Sequence, residues 1–122
     1  MPSQVNQPLP SGYVLNGYRI DKPLSSGGFS IVYLAYDENQ TPYAIKEYLP
    51  ASLALRSEGT EVSIEDPGNI AVFRHGLKCF FEEGRSLAVI SHPNVVRVEN
   101  FFRANETCYM VMQYVRGRTL QF

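Results

Sequence analysis

Cysteine is scarce in this chain, charge is balanced and apolar runs are short, and each shortage excludes a class of protein. With two cysteines, Cys79 and Cys108, a disulfide or a metal site would need more support than the sequence offers. Their apolar surroundings predict reduced core thiols. The formal net charge is −1 with no strongly basic run, which gives no grip on nucleic acid or an anionic membrane surface. No apolar run approaches the ~18 residues of a membrane-spanning helix. Residues 1–12 have neither a basic start nor an apolar core segment, so they do not read as a signal peptide. A soluble, cytoplasmic chain is the expectation. Internal repeats and low-complexity segments are absent. No G-x-x-x-x-G-K-[ST] phosphate loop occurs. Neither histidine reads as a catalyst, and His92 beside Pro93-Asn94 reads as a helix-end hydrogen-bonding residue.

What is present suffices for one small domain: 122 residues, of which 44% are hydrophobic, enough for a core. Its most informative stretch is 24–46. Leu24-Ser25-Ser26-Gly27-Gly28-Phe29-Ser30 is a small-residue loop. It runs into an apolar, β-branched segment at 31–36, a polar turn Asp37-Glu38-Asn39-Gln40, and a second short strand ending in Lys46. Bare backbone lets amide groups approach an anion closely, and a lysine on the neighbouring strand adds a point charge. A dinucleotide-binding glycine loop would open a helix, whereas strand-forming residues follow this one.

In chain order, residues 1–12 form a proline-containing flexible leader and 13–122 a folded unit. Strands are predicted at 18–24, 30–36 and 42–48. Pro23 implies an edge or a bulge in the first. A long connection, 50–69, contains a possible hairpin over 56–64. Asp66-Pro67 then offers a helix start, with Asn69 as a rival cap. The helix spans about 69–90, with Phe73, Leu77, Phe80, Gly84, Leu87 and Ala88 on one face. Phe81 borders that face, and Arg74, Lys78, Glu82 and Arg85 lie away from it. Ser91-His92-Pro93-Asn94 ends the helix. Two more strands follow, at 95–103 and 107–114.

The pattern Ser25-x-Gly27-x-x-Ser30-x-Val32, followed by Tyr43-Ala44-Ile45-Lys46, resembles the glycine-rich loop and strand lysine of the protein kinase family. Segments such as Lys46-Glu47-Tyr48-Leu49-Pro50 most resemble bacterial Ser/Thr kinases of the eukaryotic-like type. The resemblance runs from about residue 15 to the last residue. It implies an α+β fold, the kinase amino-terminal lobe: a five-stranded antiparallel sheet with one long helix between strands three and four. It implies ATP as the nucleotide, with Lys46 on the α- and β-phosphates. Leu24, Ser25, Ser26, Gly27, Gly28, Phe29, Ser30, Val32 and Ala44 would line the nucleotide site. Met112 would be the gatekeeper, and Gln113 and Val115 would present hinge backbone to adenine.

The family also pairs the lysine with a helix glutamate, and Glu82 and Glu83 compete. Glu82 lies about 180° from Phe73, on the solvent side, and Glu83 about 80° away, at the rim of the buried face. Glu83 is therefore the expected partner. The family spacing agrees, since His92-Pro93-Asn94 begins nine residues after Glu83. Two departures stand out. Ser25 and Ser30 replace loop glycines, and no H-R-D or D-F-G motif occurs. The resemblance thus implies that Mg2+ ligands, the catalytic aspartate and the protein-substrate platform belong to a second lobe absent from this chain. An active Ser/Thr kinase lobe, a pseudokinase scaffold lobe and an unrelated nucleotide-binding domain all stay open. The isolated lobe is expected not to turn ATP over. Exposure of Leu24, Val32, Ala44 and Met112, with Leu87 and Val95, would make it a homodimer.

Overall fold

Alternating residues and two-residue turns build one antiparallel sheet, and a single amphipathic helix covers part of one face. The computed structural model describes residues 7–50, 52–54, 56, 59–64, 66–89 and 98–114, and of residues 84–89 the backbone only. The strands are β1 (Val14–Leu15), β2 (Tyr18–Ser26), β3 (Ser30–Tyr36), β4 (Pro42–Tyr48), β5 (Val98–Ala104) and β6 (Thr107–Gln113). The helix α1 spans Ile70–Val89 between β4 and β5. Strand order in the sheet is β1-β2-β3-β4-β6-β5.

The sheet has six strands, not the five expected. The added strand is β1, which hydrogen-bonds back on β2 with Leu15 opposite Tyr18. Its cause is local: Asn16 and Gly17 both have positive φ, 51° and 88°, the signature of a type I′ hairpin turn. Asn105 and Glu106 make the same kind of turn, with φ of 52° and 64°, between β5 and β6. At the β3–β4 turn the Asp37 carboxylate accepts from the backbone N–H groups of Asn39 and Thr41, an Asx arrangement. The predicted bounds 30–36 and 42–48 coincide with β3 and β4. Pro23 sits at a register shift of β2, the bulge it was expected to mark.

Asp66 accepts from Gly68 N–H and caps a 3-10 turn, Pro67–Asn69, that leads into α1. Phe73 and Phe80 are buried and Leu77 packs on the core, as the helical face required. Phe81 is 42% exposed and stands edge-on to Phe101. The predicted helix end at 91–94, the start of the next strand and Val115 lie outside the described residues.

Cross-strand pairs share a face. Val32, Lys46 and Met110 follow one another across β3, β4 and β6 and face the helix side. Tyr33, Ile45 and Val111 face the opposite side. That opposite face is covered too. Leu9 is 2% exposed, Ala54 4% and Val62 5%, all in the central cluster. Within the stretch expected to be a flexible leader, Gln7 N–H donates to Arg56 O and Leu9 N–H to Tyr33 Oη. Val62 docks here, its N–H donating to Asn105 O.

Candidate functional site

A cavity of about 620 Å³ opens between the 27–30 loop, β4 and α1. Gly27, Gly28, Phe29 and Ser30 form one wall, Lys46 and Tyr48 the floor, and His75, Gly76, Cys79, Phe80 and Glu83 the helix wall. The loop is held at both ends: Gly27 N–H donates to Ser30 O, and Leu49 N–H to Phe29 O. Phe29 is 74% exposed at the tip. Neither Gly27 nor Gly28 is in the left-handed region, and a Cβ on either would meet nothing within 4 Å. The fold therefore accepts side chains at both positions. What glycine provides is bare backbone toward the cavity.

The helix approaches the sheet closely at one point. A Cβ on Gly76 would lie 2.1 Å from Tyr48 Oη. Tyr48 Oη donates to Phe73 O at 3.4 Å, and its ring packs on Phe73 and Phe80. Burial, and behind it the neighbouring Cys79, holds the Tyr48 phenol above its ordinary pKa. This contact sets the helix over β4. The Lys46 ammonium then stands 6.0 Å from the Phe80 ring centroid, at the limit of a cation–π contact.

Lys46, Glu83 and loop residues 27–30 thus share one cavity wall system, and Glu82 takes no part in it. Among the described residues no ion pair within 4 Å joins Lys46 to Glu83; Arg56–Glu47 is the pair formed. The other predicted residues stand elsewhere. Ser25 pairs with Val32 across β2 and β3, and Ala44 with Met112 across β4 and β6. Leu24, Ser26 and Gln113 belong to β2 and β6 and do not line the cavity.

Two expectations are corrected. Val32, Ala44 and Met112 are 1%, 0% and 5% exposed, so the slot expected to lie open is not an open apolar patch. Val32 and Ala44 are on strands paired along both edges, at the sheet centre, where neighbours close over them. The argument for a homodimer loses these residues, and the side chains of Leu87 and Val95 lie outside those described. Cys108 is buried as expected, and burial pushes its thiol up, with Arg103 working against that. Cys79 is exposed. It lies about 240° around the helix from Phe73, off the apolar face.

Sequence reasoning missed a buried polar cluster behind the lysine. Glu47 follows Lys46 in β4 and points to the opposite face, 0% exposed. Arg56, 1% exposed, forms a two-pronged pair with its carboxylate. Tyr33 Oη and Tyr109 Oη donate to the same carboxylate at 2.8 and 2.5 Å. Arg56 also donates to Thr60 O and Gln7 O. Burial and the Glu47 charge push both phenols well above the ordinary tyrosine value. The available signal was period two. Glu47 shares a face with Ile45, and an acid on a core face requires a partner.

The chain matches no protein-family model. It is 28% identical over 118 residues to the probable serine/threonine-protein kinase YbdM of Bacillus subtilis, covering 95% of this chain and 39% of that protein. Its fold superposes on the solved apo form of PpkA-294 with a TM-score of 0.87 and 41% identity, over 93% of this chain and 41% of that one. The Mycobacterium tuberculosis PknI kinase domain superposes with a TM-score of 0.64 at 21% identity, over 89% and 36%, a likeness of fold alone. The fold is that of a kinase amino-terminal lobe, and the chain spans about two fifths of the length of YbdM and of PpkA-294.

Proposed function

We propose that this chain, with the fold of a kinase amino-terminal lobe and bacterial Ser/Thr kinases as relatives, is the ATP-binding lobe of a protein Ser/Thr kinase. The whole protein would transfer the γ-phosphate of ATP to protein hydroxyls. One observation carries the reading: Lys46 and Glu83 line a single cavity roofed by Gly27 and Gly28, two glycines that the fold itself does not require.

In this reading the loop amides and the Lys46 ammonium hold and orient phosphates, and Glu83 orients the ammonium when the helix closes. Leu24, Val32, Ala44 and Met112 would meet the adenine, with backbone at Gln113 and Val115 on its edge, once the neighbours that now cover Val32, Ala44 and Met112 move aside. ATP supplies the transferable phosphoryl group, and positioning with charge stabilisation is what the protein contributes. Kinase relatives imply Mg2+ as well. Among the described residues no group of three His, Cys, Asp or Glu could hold a metal ion. Its ligands, the catalytic aspartate and the protein-substrate surface are assigned to parts of the protein outside these residues. No helix among the described residues is long and apolar enough to cross a membrane.

The test is ATP binding by the purified chain and by Lys46→Ala, alongside transfer of labelled phosphate to a generic protein. Weak binding that Lys46→Ala abolishes, with no transfer above background, is the expected result. No binding by the wild-type chain would favour the scaffold reading, which Ser25 and Ser30 in place of loop glycines keep in view. Transfer that survives re-purification and vanishes in Lys46→Ala would overturn the assignment of catalysis to residues elsewhere.

A further inference from the structure

The helix wall of the cavity carries a second chemistry. His75, Cys79 and Glu83 recur every four residues and form one stripe along α1, all lining the cavity. The Cys79 sulfur lies 3.8 Å from His75 Nε2, within hydrogen-bond range for sulfur. Both side chains are exposed to solvent through the cavity. Lys46 faces them from the floor. A thiol needs three things to react with a disulfide: a proton acceptor, access, and room for the incoming group. The imidazole, the exposure and about 620 Å³ of cavity supply them. The chain contains its own control, because Cys108, its other cysteine, is 2% exposed.

We propose that Cys79 is a site of reversible S-thiolation by low-molecular-weight disulfides bearing carboxylates, with His75 as the proton acceptor and Lys46 attracting the anionic reagent. The Cys79 S–H proton passes to His75 Nε2. The thiolate attacks one sulfur of the disulfide, the Sγ–S bond forms, and the reagent's S–S bond breaks. The departing thiolate takes the proton from the imidazolium. Cys79 is oxidised, one reagent sulfur is reduced, and the products are a mixed disulfide and one free thiol. This chemistry does not depend on the kinase reading.

The purified 122-residue chain is incubated with oxidised glutathione, and separately with neutral hydroxyethyl disulfide, and followed by intact-mass spectrometry. One adduct per folded chain is expected, mapping to Cys79, removed by dithiothreitol and absent in Cys79→Ser. Cys108 should react only after denaturation. His75→Ala, or His75→Gln if the alanine variant does not fold, should slow the reaction roughly threefold, since the proton acceptor 3.8 Å from the sulfur is lost. Lys46→Gln should slow oxidised glutathione and leave the neutral reagent unaffected. A folded chain that forms no adduct overturns the proposal. So do wild-type rates in both the His75 and Lys46 variants, which would make Cys79 merely an exposed thiol.

Discussion

Arg56→Ala probes the cluster behind the lysine strand most directly. The guanidinium is 1% exposed, pairs with Glu47 and also donates to Thr60 O and Gln7 O. Truncation leaves a carboxylate that is 0% exposed without its cation. Breaking a buried pair by removing one partner costs ~3–5 kcal/mol. Two tyrosine hydroxyls still donate to Glu47, so a loss of about 3 kcal/mol is expected at pH 7. For a domain of this size that is roughly 10 °C in Tm. Urea unfolding followed by the fluorescence of the eight tyrosines measures the loss. The double change Arg56→Met with Glu47→Gln keeps an acceptor for the hydroxyls and should recover much of the loss. A loss below about 1 kcal/mol, or a double variant no better than Arg56→Ala, would refute the reasoning.

Gly76→Ala gains about 1 kcal/mol of helix propensity but places a Cβ 2.1 Å from Tyr48 Oη. Overpacking costs ~1–3 kcal/mol, so the variant should be less stable in urea, with partial rescue by Tyr48→Phe. The raised Tyr33 and Tyr109 phenols stay protonated in the fold while the unfolded chain ionises near 10.0. Their contribution is complete below that pH and falls as pH rises above it, so Tyr33→Phe should flatten the alkaline limb of the stability profile. In the full-length protein Glu83→Gln should reduce phosphotransfer by orders of magnitude and Glu82→Gln should not. The reverse pattern would sink the argument from helical faces.

The sequence by itself determined the local elements. An apolar, β-branched run after the small-residue loop and the polar turn behind it bounded β3 and β4 to the residue, and the helical face from Phe73 to Phe80 followed from a 100° step. The loop glycines and Lys46 were legible because their spacing on a strand–turn–strand is local. Asn16-Gly17 is a local hairpin signal of the same kind. Tertiary structure alone decided what lies far apart in the chain. Arg56 reaches Glu47 on the face opposite the helix, where Ala54 and Val62 are buried as well, and Gln7 and Leu9 join it there. Gly76 meets Tyr48 from 28 positions along the chain, and that one close approach fixes where the helix lies. It thereby places His75, Cys79 and Glu83 opposite the loop and Lys46. Pairings of this kind arise from how faces stack, and periodicity reveals which face a residue joins without revealing what will cover it.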